Sequence, residues 1–212
     1  GTAFLAVVIL KKGPGISWGA IKRNLLNLCL SGAFIGINWI LLFESYHYTT
    51  VATATLCYYM APVFVTIAAP FVFKERLTKK KIFCITGALV GMVLISGIWN
   101  TGISGTGELW GILYGIGAAV FYASVILLNK KIQGISAYDK TMMQLAASSI
   151  VLLPYTVLTE KVSVLSLTPM AVILLAVVGI LHTGISYTLY FGSMKNLEAQ
   201  TIAIFSYIDP KI

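Results

Sequence analysis

The stretch SYHYTTVATATLCYYMAPVFVTIAAPFVF, residues 45–73, contains no Asp, Glu, Lys or Arg. An α-helix rises about 1.5 Å per residue and the hydrocarbon core of a bilayer is about 30 Å thick, so roughly 20 such residues make one crossing. Working outward, the runs 24–43, 82–107, 109–129, 141–159 and 162–194 are equally free of these charges. Six runs of this length do not fit inside a soluble core. In hydrocarbon every backbone polar group must bond within the protein, which leaves helices or closed barrels. Barrel strands are about 10 residues long and alternate. These runs are longer and do not alternate. The pattern predicts an all-α, polytopic membrane protein with whole helices near 25–43, 50–73, 82–98, 109–128, 142–158 and 170–191.

Composition agrees. Of 212 residues, 58% are hydrophobic and 10% charged, where a soluble domain carries about 25% charged residues. Seven carboxylates and two histidines leave little for a hydrolase or a metal centre. Cys29, Cys57 and Cys84 lie in three different apolar runs and read as small buried residues rather than ligands or a disulfide framework. No nucleophile elbow, phosphate loop, zinc helix or dinucleotide fingerprint is present. The sequence therefore names no enzyme activity, no cofactor and no metal.

The cations set an orientation. Lys11, Lys12, Lys22 and Arg23 precede the first whole helix; Lys74, Arg76, Lys79, Lys80 and Lys81 follow the second; Lys130, Lys131 and Lys140 follow the fourth. The segments 44–49 and 99–108 carry none, and Lys161 and Lys195 stand singly. Basic loops stay in the cytoplasm, which places 11–23, 74–81, 130–140 and 194–198 on that side. The net charge of +8 follows from this bias and from attraction to anionic lipid. It does not call for nucleic acid.

The chain also repeats itself. At an offset of 148 residues, Gly36, Ile37, Leu41, Phe43, Ser45, Thr53, Tyr59 and Pro62 meet Gly184, Ile185, Leu189, Phe191, Ser193, Thr201, Tyr207 and Pro210 without a gap. By the charge rule the two copies cross the membrane in opposite directions. Inverted repeats characterise secondary transporters, with the substrate near midplane where the halves meet.

The stretch FESYHYTTVATATLCYYMAPVFVTIAAPFVFKERLT resembles the EamA family of the drug/metabolite transporter superfamily, as do its echo YFGSMKNLEAQTIAIFSYIDP, the segment ITGALVGMVLISG at 85–97, and GELWGILYGIGAAVFYASVILLNKK at 107–131. The resemblance implies a ten-helix fold of two five-helix halves, with residues 1–98 as the first, 99–108 as an external linker and 109–212 as the second. On that template both ends read as clipped, helices 1 and 10 are absent, and small-residue faces such as Gly111 and Gly115 are expected to lack partners. It further implies a secondary carrier of small metabolites, such as amino acids, in a bacterial cytoplasmic membrane. We read it in the export direction and by alternating access; a channel or non-transporting membrane protein is the alternative. The partners are a small-molecule substrate and the bilayer, with a homodimer left open.

Polar side chains inside a membrane turn toward the bundle or a cavity. The candidate cavity lining is Asn38, Trp39, Tyr58, Tyr59, Pro62, His182, Ser186, Tyr187, Tyr190, Ser206, Tyr207 and Pro210, weighed against helix–helix hydrogen bonding. Pro62 and Pro210 lack an N–H, so they cannot bond the carbonyls of Tyr58 and Ser206; this predicts broken helices at both prolines, weighed against a plain helix kink. Glu44 and Asp209 are candidates for ion coupling. Glu44 and His47 have the spacing of half a di-iron site, but only one copy exists. Lys211 is a costly cation at this depth. Glu75, among Lys74, Arg76 and Lys79, is expected to pair locally.

Overall fold

The structure is a computed structural model that describes residues 17–96, 106–159, 168–194 and 197–205. The helices are α1 Trp18–Tyr48, α2 Val51–Tyr58, α3 Ala61–Phe73, α4 Lys79–Ser96, α5 Thr106–Lys131, α6 Ala137–Thr159, α7 Pro169–Val177, a π-helical segment Val178–Ile185, α8 Ser186–Ser193 and α9 Ala199–Phe205. Among the described residues there is no strand. Each expected whole helix has its counterpart, with 50–73 divided into α2 and α3 and 170–191 covered by α7, the π segment and α8. Among the described residues, five stretches are long and apolar enough to cross a membrane: Trp18–Tyr48, Val51–Phe73, Gly107–Lys131, Ala137–Thr159 and Pro169–Ser193. The lysines Lys79, Lys80 and Lys81 open α4.

Local chemistry sets several boundaries. Thr50 caps α2 by accepting the Thr53 N–H at 3.1 Å, and Thr168 caps α7 by accepting that of Ala171 at 3.2 Å. Pro169 follows as the first helical residue, where its missing N–H costs nothing. Ser136 accepts the Asp139 N–H at 3.0 Å, a serine three residues before an acid at a helix start. That cap begins α6 at Ala137 rather than near 142, so Lys140 belongs to a helix and not to the loop the sequence suggested.

Many large apolar side chains point outward. Leu26, Phe71, Phe83, Ile150 and Leu158 are between 72% and 85% exposed, while Ser31, Ser45, Ala54, Ala118, Gln144 and Gln200 are fully buried. Water would penalise this arrangement. Lipid does not, because it is as apolar as leucine and leaves close packing and hydrogen bonds to hold helices together.

The described residues group into two compact units, each containing part of α1 and α5: one holds residues up to Gly36 with Leu128–Asn196, the other Ile37–Leu127 with the chain from Leu197. In the first, α1 lies so close to α6 that a Cβ on Gly32 would stand 2.5 Å from the Gln144 carbonyl oxygen and 2.6 Å from the Ala147 Cβ. Gln144 donates to Ser31 Oγ at 2.6 Å and to Asn129 Oδ1 at 3.2 Å. In the second, Gly111 faces Thr49 and Gly115 faces Cys57 and Ala54. The expectation that these two glycines lack partners is therefore corrected: their absent side chains admit α2 and the end of α1.

Candidate functional site

The helix break predicted at Pro62 is present. The Tyr59 N–H donates to Thr55 O at 2.9 Å, and the Met60 N–H turns back to Cys57 O at 3.1 Å. The chain then restarts as α3, with Pro62 in its first turn and the Val63 and Phe64 N–H groups both donating to Met60 O. Proline is comfortable there for the reason that ends α2: it offers the Tyr58 carbonyl no donor. The Thr66 hydroxyl donates to Pro62 O at 2.8 Å.

Aromatic and polar groups surround the break. Tyr58 is buried, its ring 5.4 Å from that of Tyr122. Tyr59 and Trp39 are half-buried, and Pro62 is buried. Asn38 is buried and donates to Ala118 O at 2.7 Å, while Ser45 donates to Gly111 O at 2.7 Å. Both bonds clamp α1 to α5, the packing role weighed against cavity lining. Glu44 lies 3.5 Å from His47 Nδ1 near the end of α1. Among the described residues no group of three or more His, Cys, Asp or Glu is placed to hold a metal.

The remaining candidates divide. His182, Ser186, Tyr187 and Tyr190 fall in the other compact unit from Tyr58, Tyr59 and Pro62. His182 is exposed and sits in the π segment. There the hydroxyls of Thr183 and Ser186 donate five residues back, to Val178 O at 3.1 Å and Leu181 O at 2.9 Å. Tyr187 and Tyr190 place their rings 5.1 Å and 5.5 Å from that of Phe191. Ser206, Tyr207, Asp209, Pro210 and Lys211 lie outside the described residues.

Two contacts escaped the sequence reading. Glu75 reaches beyond its neighbours in sequence: its carboxylate accepts the N–H of Ala199 at 2.9 Å and of Gln200 at 3.3 Å. It supplies the start of α9 with the acceptors a helix end lacks. Lys81 pairs with Glu198 beside it. The available signal was Glu198 preceding a new apolar run, an acid at a helix start facing the most basic loop.

With exposed apolar helices and polar groups bonded inward, the chain is an integral membrane protein, all-α and polytopic. The family model for the EamA-like transporter family matches residues 1–97 and 109–212, and the chain belongs to that family. It is 33% identical over 215 aligned positions to an uncharacterized transporter of Bacillus subtilis (strain 168), covering 100% of this chain and 67% of that protein. It is 28% identical to an uncharacterized transporter of Archaeoglobus fulgidus, covering 91% of this chain and 65% of that one. A third, from Clostridium kluyveri, is 27% identical over 78% of this chain and 54% of its own length. A crystal structure shares the fold with a TM-score of 0.79 at 19% identity, covering 98% of this chain and 71% of that one.

Proposed function

We propose that the protein is a secondary carrier that exports small metabolites, such as amino acids, across a bacterial cytoplasmic membrane by alternating access between two inverted repeats, 1–98 and 109–212. Loops 11–23, 74–81, 130–140 and 194–198 face the cytoplasm in this reading. The observation that carries it is the break between α2 and α3 inside a stretch long enough to span the bilayer. Irregular backbone at membrane depth is tolerated where it is packed in protein or lines a cavity, and transporters bind substrate at such breaks. Tyr58 and Tyr59 flank this one, and Tyr207 and Pro210 are its counterparts by the 148-residue offset. Aromatic rings beside backbone carbonyls suit an amphipathic metabolite with a cationic group.

The test is flux through the full-length protein in liposomes. A carrier saturates and shows counterflow; a channel does neither. Tyr59→Ala is expected to raise the apparent KM roughly 3- to 30-fold, the range of a lost cation–π contact, with Tyr59→Phe close to wild type. Normal insertion with unchanged KM in the alanine variant places the substrate elsewhere.

A further inference from the structure

A second site stands in the other compact unit. Lys140, in the first turn of α6, is 7% exposed. Its Nζ donates to the Phe191 carbonyl at 2.9 Å and stands 5.8 Å from the centre of that ring. Among the described residues Glu44 pairs with His47 and Glu198 with Lys81, and no described carboxylate forms an ion pair with Lys140. Asp139, next to it, is committed elsewhere: its Oδ2 accepts the Ser17 hydroxyl at 2.6 Å. A buried charge needs compensation, and an ammonium carries three donors where one carbonyl takes one.

Lys140 lines a cavity of about 490 Å³, together with Asn129, Lys130, Gly134, Ser136 and Phe191 among others. This size suits a small ligand. Two further cations and a helix start stand at or near it, together with the buried carboxylate of Asp139 in the first turn of α6. Lys130 is on the wall. Arg23 lies against Gly134, where a Cβ would come within 2.7 Å of its Nη2, and Gly134 adopts a φ of +70° that favours glycine. Ser136 and Ala137 bring the positive end of the 23-residue helix α6.

We infer that this cavity binds a phosphate-type oxyanion, with Lys140 as its charged contact, either as a free small anion or as the headgroup of an anionic lipid. Basic pockets between membrane helices bind such headgroups on the cytoplasmic side, the side on which the charge rule places 130–140. The inference does not depend on the transport reading.

The test uses the full chain purified in detergent and its thermal unfolding midpoint. Inorganic phosphate is titrated against chloride at equal ionic strength, and neutral phosphatidylcholine nanodiscs are compared with nanodiscs containing phosphatidylglycerol. A saturable rise with phosphate that chloride does not reproduce identifies a free-anion site. A rise only in phosphatidylglycerol identifies a headgroup site. In either case Lys140→Met weakens apparent affinity at least about tenfold, the worth of a charge-assisted hydrogen bond, and Lys140→Arg retains the response. Should Lys140→Met fail to insert, Lys130→Met reads the same cavity: a several-fold weaker response with an unchanged ligand-free midpoint supports the site, and an unchanged response overturns it. A wild-type protein indifferent to both probes overturns it outright.

Discussion

Residues 36–43 and 184–191 share glycine, isoleucine, leucine and phenylalanine at matching positions, and both glycines are buried, yet the phenylalanines pack in opposite ways. The first lies in α1, an unbroken helix of 31 residues. Gly36 is buried there, so close to α6 that a Cβ would come 3.0 Å from the Ser148 carbonyl oxygen, and Leu41 approaches Gly117. Phe43 is 55% exposed. The second begins in the π segment and ends in α8. Leu189 points outward, and Phe191 is 1% exposed beneath Tyr187, Tyr190 and Lys140. The π segment ends at Ile185 and both phenylalanines lie in regular α-helix, so the difference comes from what packs on each: Tyr187, Tyr190 and Lys140 cover Phe191. The π segment is a local widening of the helix. Local wide turns of this kind recur at functional sites, and this one holds His182.

The contrast is breakable by substitution. The largest effect is expected at the paired phenylalanines. Phe191→Ala removes a fully buried ring and is expected to cost about 3–5 kcal/mol, seen as a lower unfolding midpoint in nanodiscs. Phe43→Ala is expected to stay within about 0.5 kcal/mol. Equal effects at the two positions would mean that their environments are alike after all.

A smaller effect is expected from Gly36→Leu, which inserts a side chain into the α1–α6 contact. Overpacking of this kind costs about 1–3 kcal/mol. Gly91→Leu is the matched control, because a Cβ there meets nothing within 4 Å. A neutral Gly36 variant would show that α1 can shift away from α6.

The smallest effect concerns a hydroxyl of α8 that bonds back to the π segment. Thr188 is buried and donates to Gly184 O at 2.7 Å. Thr188→Val keeps the shape and removes the donor, with an expected loss of about 0.6–1.7 kcal/mol. Faster hydrogen exchange at 184–188 in the variant would localise that loss. Unchanged exchange would show that the segment holds without this bond.

The sequence by itself determined that this chain lives in lipid, where its helices run, and that the second of them breaks. These are properties of contiguous residues: charge-free length against bilayer thickness and the missing N–H of Pro62. Ser136 and Asp139 equally marked the start of α6, and with it the place of Lys140, for a reading that weighed the cap. Tertiary structure alone decided the rest. No proline announces the π segment at 178–185, because its register depends on what α8 packs against. Asn38 reads as a polar residue in any membrane helix; only the approach of α5 gives it the Ala118 carbonyl. Glu75 stands among lysines in the chain, but its carboxylate serves N–H groups at Ala199 and Gln200. In lipid the apolar side chains no longer say which face turns inward, since the surroundings reward them equally on either side. The choice then falls to small residues and hydrogen bonds whose partners lie many turns away, and only the packed helices identify those partners.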